Sequence, residues 1–135
     1  PLVYADEVTG WVHRLKDHLG LVEARTLGQL LADAAAGAYT ADTPPDFLVP
    51  VPLTWRRLAA RGHNQALALA LPVGRRLGIP VARTGARRVR HTPRQRGLPA
   101  DQRSVNLLGA FATRRDWRGC RIGIVDDVLT TGATA

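Results

Sequence analysis

Val8, Val12, Leu15 and Leu19 recur at three- and four-residue steps, and Leu27, Leu30, Leu31 and Ala34 repeat that spacing beyond Gly20. Such steps return side chains to one face of a helix, so a helical segment spans residues 1–40, with two amphipathic helices and a break near Gly20. The period then changes. TADTPPD (40–46) is a turn by its Asp and Pro content, and FLVPVPL (47–53) is an apolar run whose two prolines mark a strand entering a constrained loop. Thr54–His63 reads only as basic, whereas Asn64–Leu77, rich in Ala and Leu, is predicted as a helix capped by Asn64. Pro80–Arg83 has room for a short strand. Ala110–Thr113 and Arg121–Val125 are predicted as strands, the second apolar enough for the centre of a parallel sheet. Residues 84–108, rich in Arg, Gly, Pro and Gln, have almost no hydrophobic periodicity and are predicted as a flexible basic loop. Helices alternating with apolar strands give a single α/β domain with a parallel sheet, its core running over 47–135.

At 135 residues and 45% apolar, a chain of this size buries about two-thirds of its unfolded surface and needs no disulfide or metal staple. The longest stretch free of Asp, Glu, Lys and Arg is Gly62–Gly74, 13 residues interrupted by His63, Asn64 and Gln65. That falls short of the ~20 apolar residues a membrane helix requires, so no span is expected. The opening PLVYADEV is acidic where a secretory signal needs a basic segment, which places the expected protein in the cytoplasm. Cys120 is the single cysteine and forms neither an internal disulfide nor a multi-thiolate zinc site. His13, His18, His63 and His91 lack metal-ligand spacing and are expected to be structural or surface residues.

Charge separates the chain into three parts. Between Thr54 and Arg121 stand 16 Arg against Asp101 and Asp116, a net +14, while residues 1–53 carry −4 and residues 122–135 carry −2. Eighteen of the 19 basic residues are Arg. The guanidinium fork matches phosphate and carboxylate oxygens in pairs, so an anionic partner is one reading of this block; a solvated arginine face is the other.

The most informative stretch is RIGIVDDVLTTGATA, residues 121–135: an apolar strand, two adjacent carboxylates, then threonines around Gly132. In open α/β sheets ligands sit beyond the carboxyl ends of the strands, where Asp126 and Asp127 stand if 122–125 form a strand. Ionised carboxylates only accept hydrogen bonds, so their partners are hydroxyls, cations or metal-bound water. Thr130, Thr131, Gly132, Ala133 and Thr134 suit a phosphate, because small residues let the backbone close in and hydroxyls and free N–H groups donate. A sugar phosphate fits both halves. A receiver-domain acid pair belongs on the first strand with further Asp and Lys downstream, whereas this pair is near the end and Lys16 is the only lysine. The P-loop and dinucleotide-binding glycine patterns are absent.

IVDDVLTTGAT resembles the phosphoribosyl pyrophosphate (PRPP) signature of type I phosphoribosyltransferases. VPVPLTWRRLAARGHNQA (49–66) and RHTPRQRGLPADQRSVNLLGAF (90–111) resemble the ComF family within that class, a branch linked to DNA uptake in natural transformation. The resemblance implies a phosphoribosyltransferase-like parallel sheet flanked by helices, with Asp126 and Asp127 on the ribose 2- and 3-hydroxyls and Thr130–Thr134 around the 5-phosphate. Leu53–Arg57 matches the pyrophosphate loop, making Arg56 and Arg57, with Arg61, the expected pyrophosphate residues. Arg61, Asn64 and Gln65 fall in an Arg-Gly-aromatic-Asn-Gln stretch in which His63 takes the aromatic position. Arg90, Thr92, Gln95, Arg103 and Asn106 match the flexible loop that covers the ligand. Relatives often begin with a Cys-rich zinc ribbon that this sequence lacks, and their fold continues into another helix and strand where this sequence stops, so a sheet truncated at its carboxyl end is expected.

The implied activity is transfer of phosphoribose from PRPP to an unknown acceptor with release of pyrophosphate. Magnesium would be held chiefly by the ligand's oxygens and indirectly by Asp126 and Asp127. Purine-salvage relatives carry an Asp four residues after the first acid, and here that residue is Thr130. Two other functions remain open: a non-catalytic PRPP or nucleotide sensor, and an accessory of DNA uptake that grips single-stranded DNA or competence proteins with its arginines. Only Trp55, Phe111 and Trp117 are aromatic between residues 54 and 121, so DNA contact would run through the backbone and depend steeply on salt. The residues leave the acceptor and the oligomeric state open.

Overall fold

Helices α1 (Asp6–Leu15) and α2 (Leu21–Ala38) open the chain on either side of Gly20, as the leucine spacing predicts. The computed structural model describes residues 6–15, 20–39, 44–89 and 109–128. Val12 and Leu15 of α1 and Ala24, Leu27 and Ala32 of α2 are buried in one cluster with Leu48, Leu69, Ala70, Val73, Ile79 and Val125. Removing each larger member of such a cluster from water contributes about 1.5–3 kcal/mol, which fastens the helices to the sheet.

Helix α3 (Trp55–Arg61) forms where the sequence shows only basic character, and it buries none of its residues. Helix α4 (Gln65–Leu77) begins at Asn64 as expected. Pro72 lies inside α4, where it forfeits one backbone hydrogen bond. It is offset by close packing: a Cβ placed on Gly28 of α2 would lie 2.8 Å from Pro72 Cγ, so the two helices approach through that pair.

Strand β1 (Phe47–Pro50) pairs in parallel with the last described strand, Ile122–Val125, Phe47 lying opposite Ile122 and Pro50 opposite Val125. Asp46 ties their amino ends: its Oδ2 accepts the Arg121 backbone N–H at 2.7 Å, and its Oδ1 lies 3.5 Å from Arg121 Nη2. On the other side of β1, Leu48 N donates to Pro80 O at 3.0 Å and Ala82 N donates to Leu48 O at 2.8 Å. The expected strand at 80–83 is thus a one-residue parallel bridge through Val81, and β1 occupies the middle. Residues 122–125 lie on the opposite flank of β1. Among the described residues that strand pairs with β1 alone, and Ile124 is 49% exposed.

The expected loop over 84–108 is also corrected at its start, because Ala86–Arg88 form strand β2, antiparallel to β3 (Phe111–Thr113), with the Ile122–Val125 strand following as β4. Three residues with two arginines carry too little apolar alternation to signal a strand; the pairing to β3 supplies it. The rest of that loop, 90–108, lies outside the described residues. The described chain is therefore an α/β structure with helices packed on a small parallel sheet. None of its described helices is long and apolar enough to cross a membrane.

Candidate functional site

Because β1 and β4 run parallel, their carboxyl ends meet at one edge, which is where open α/β sheets hold ligands. The Val51 N–H donates to the Val125 carbonyl at 2.9 Å, so the loop leaving β1 is bonded to the residue immediately before Asp126. Asp126 and Asp127 are both half-buried there. The Asp127 N–H donates to Asp126 Oδ1 at 2.8 Å, which fixes the orientation of that carboxylate at the strand end.

Thr54 converts the loop into a helix. Its extended backbone and side-chain oxygen, 3.4 Å from Arg57 N, cap α3, so Arg56 and Arg57 stand in a first helical turn rather than in an extended loop. The three expected pyrophosphate arginines then diverge. Arg56 is exposed, its guanidinium 5.5 Å from the ring of Trp55, itself 74% exposed. Arg57 and Arg61, four residues apart and so on one helix face, are half-buried. Arg61 Nη1 donates to Gln65 Oε1 at 3.2 Å.

The turn between α3 and α4 braces this loop. Gly62 closes α3 with a left-handed φ of 77°, a conformation that disfavours side chains. Two residues on, the Asn64 side chain makes two bonds: Oδ1 accepts from Leu67 N at 3.3 Å, and Nδ2 donates to the Val51 carbonyl at 3.1 Å. Asn64 thus caps α4 and holds the loop after β1. Gln65 is 2% exposed, and its Nε2 has no hydrogen-bond partner among the described residues.

Arg88 joins the site without any sequence signal to single it out from the arginines around it. It ends β2 opposite Phe111, with its guanidinium carbon 5.1 Å from that ring centroid. Burial, and after it the cation of Arg57, hold the Arg88 guanidinium below its ordinary value, while the Asp126 carboxylate acts in the opposite sense. Arg57 of α3 and Asp126 beyond β4 are thus the charged groups whose fields reach Arg88 of β2. Thr130, Thr131, Gly132, Ala133 and Thr134 lie outside the described residues, as do Arg90, Thr92, Gln95, Arg103 and Asn106. Among the described residues no group of three His, Cys, Asp or Glu side chains gathers to hold a metal.

Fold and site define an α/β protein in which paired acids stand at the carboxyl edge of two parallel strands, beside the loop that leaves the first of them. Over 115 residues the chain is 40% identical to competence protein F of Haemophilus influenzae, a match covering 82% of this chain and 50% of that protein. It is 37% identical to DNA utilization protein YhgH of Salmonella typhimurium and 36% identical to that of Escherichia coli K12, each over 133 residues, 97% of this chain and 59% of the relative. The chain belongs to the ComF family, that of competence protein F. It spans 50–59% of the length of these relatives. No family model and no solved structure matches it.

Proposed function

We propose that this chain is a type I phosphoribosyltransferase-like domain that binds PRPP and transfers its phosphoribose to an acceptor, releasing pyrophosphate, in a protein of DNA uptake. The observation that carries this reading is the parallel pairing of β1 with β4, which sets Asp126 and Asp127 beside the loop that leads into Arg57. Carboxylates accept the hydroxyls of a ribose ring, and guanidinium groups take the charge of its diphosphate arm. Departure of pyrophosphate from C1 leaves positive character on the sugar and negative charge on the leaving group. Asp126 and Asp127 stabilise the former and orient the ring, and Arg57 stabilises the latter. Two carboxylates are hard oxygen donors suited to magnesium, with the remaining oxygens supplied by the ligand's phosphates, as is usual for that ion. Magnesium bound in this way would neutralise charge on the diphosphate. The names of the relatives, competence protein and DNA utilization protein, support the link to DNA handling.

Calorimetric titration with PRPP and magnesium tests the reading. Saturable binding that is lost in the double variant Asp126→Asn, Asp127→Asn supports it, and pyrophosphate release on adding a nucleobase identifies the transferase. Binding without release under any base identifies a sensor instead. DNA binding indifferent to both substitutions, with no PRPP binding, overturns it in favour of a DNA-gripping accessory.

A further inference from the structure

We propose that the groove between α2 and α4 is a docking site for an amphipathic helix of a partner protein, one that carries acidic side chains along both flanks of an apolar stripe. The proposal is independent of the PRPP reading, since no lining residue belongs to a strand or to the loop after β1. The groove has a volume of about 640 Å³. Its floor is apolar: Ala24 of α2 and Pro72 of α4 are buried, Ala68 and Leu71 of α4 are half-buried, and Pro72 abuts Gly28. Its rims are cationic. Arg25 and Gln29 stand on the α2 side and Arg75 and Arg76 on the α4 side, all four exposed. Val22 extends the α2 rim, because it lies three residues before Arg25 and seven before Gln29 on the same side of the helix, and it is 73% exposed.

The acids of these two helices are already engaged. Asp33 of α2 lies 3.5 Å from Arg76 Nε, and Glu23 of α2 accepts from Arg14 Nε at 3.0 Å. They are the only acids in α2, and α4 has none. Among the described residues Arg25 and Arg75 have no ion-pair partner, so each rim keeps a cation. Arg75, in the last turn of α4, is favoured there by the helix dipole alone; Arg25, in the second turn of α2, has no such support. A partner with carboxylates on both sides of an apolar stripe matches the rims in charge and the floor in polarity. Both walls of the groove are helices, whose backbone bonds are made internally, so they offer no sheet edge to an extended peptide. A helix arrives with its own backbone satisfied. Nucleic acid is disfavoured because the groove holds no aromatic side chain on which a base could stack. A small polar ligand is disfavoured as well, since the floor supplies no polar side chain to orient it.

The test uses the full chain and a labelled synthetic helix of about five turns, with leucines along one face and glutamates on both flanks, followed by fluorescence anisotropy. The wild type binds it saturably, and a counterpart with lysines in place of the glutamates binds roughly tenfold more weakly or worse. In the double variant Arg25→Glu, Arg75→Glu, affinity for the glutamate helix falls roughly tenfold, as two attractions become repulsions. The control Arg83→Glu, Arg114→Glu makes the same change of charge at two exposed arginines outside the groove and stays within about twofold. Amide chemical shifts that move around Ala68 and Leu71 on titration place the peptide in the groove. Thermal unfolding identifies loss of fold, and if the glutamate variant unfolds, Arg25→Gln, Arg75→Gln decides with a loss of about threefold. Failure of the wild type to bind the glutamate helix overturns the proposal. So do equal losses in groove and control variants, which would mark unspecific attraction to a basic protein. An oligothymidine that displaces the peptide and is itself released by the groove variant overturns it in favour of nucleic acid. Sedimentation that shows the wild type pairing with itself and the groove variant monomeric overturns it in favour of a second copy of this chain.

Discussion

His63 reaches Leu15, 48 positions earlier in the chain, with its Nε2 3.0 Å from the Leu15 carbonyl oxygen. Leu15 is the last described residue of α1, so a side chain from the α3–α4 turn meets a carbonyl at that end of the helix. Nδ1 of the same ring lies 3.1 Å from the Arg61 carbonyl. One imidazole therefore fastens the first helix to the turn that braces the candidate site.

Replacing His63 by Ala frees both carbonyls. The expected loss is about 1–2 kcal/mol of unfolding free energy, the net worth of one or two partly buried hydrogen bonds. Urea denaturation measures it, and proteolysis within α1 should accelerate in parallel. A variant with an unchanged urea midpoint would show that the contact contributes nothing.

Asn64 separates capping from loop bracing. Asn64→Ala removes both the acceptor for Leu67 N and the donor to Val51 O, at an expected cost of about 1–2 kcal/mol. Asn64→Ser retains a capping oxygen and loses the donor to Val51 without setting a carboxylate against that carbonyl, so its destabilisation should be smaller. A cap-retaining variant as stable as wild type, again by urea denaturation, would mean that the bond to Val51 is idle, and a loss equal to that of Asn64→Ala would mean that the cap is.

Asp46 gives the fold an acid-sensitive clasp. The backbone N–H of Arg121 foremost, and the Arg121 side chain to a lesser degree, hold its carboxyl below the ordinary value against the opposing effect of desolvation. A carboxyl with a lower pKa in the folded chain stabilises it above the unfolded-state value of about 3.9, and that contribution vanishes as pH falls through the folded-state value. Asp46→Asn should therefore be less stable than wild type at neutral pH, and the two should converge on acidification below about pH 4. Parallel stability curves across that window would rule the clasp out.

The sequence was most legible where burial is one-sided. Leu15 and Leu27 announce α1 and α2, Leu69 and Val73 mark the buried face of α4, and Asn64 caps where its type predicts. Helix α3 stayed hidden because Trp55 and Leu58, its two large apolar residues, are exposed, so there was no inward stripe to detect. Arg88 stayed hidden for a related reason: the strand carrying it is defined by a partner 23 or more positions away rather than by its own composition. Asp126 and Asp127 were readable as a pair at a strand end, and parallel pairing to β1 puts them there. The helical setting of Arg57 depends on the local Thr54 cap, and the placement of Arg88 on the β2–β3 ladder, a tertiary outcome.

The pairing of Phe47 with Ile122 also dictates timing. Ribosomes deliver β1 long before β4, so during synthesis β1 waits with that flank open, and the edge that carries the acids is incomplete until β4 docks. Contacts of such long range slow folding and leave an edge prone to wrong partners meanwhile. Completion of that carboxyl edge should therefore be an all-or-none, late event of biogenesis, arriving with the residues that carry the acids.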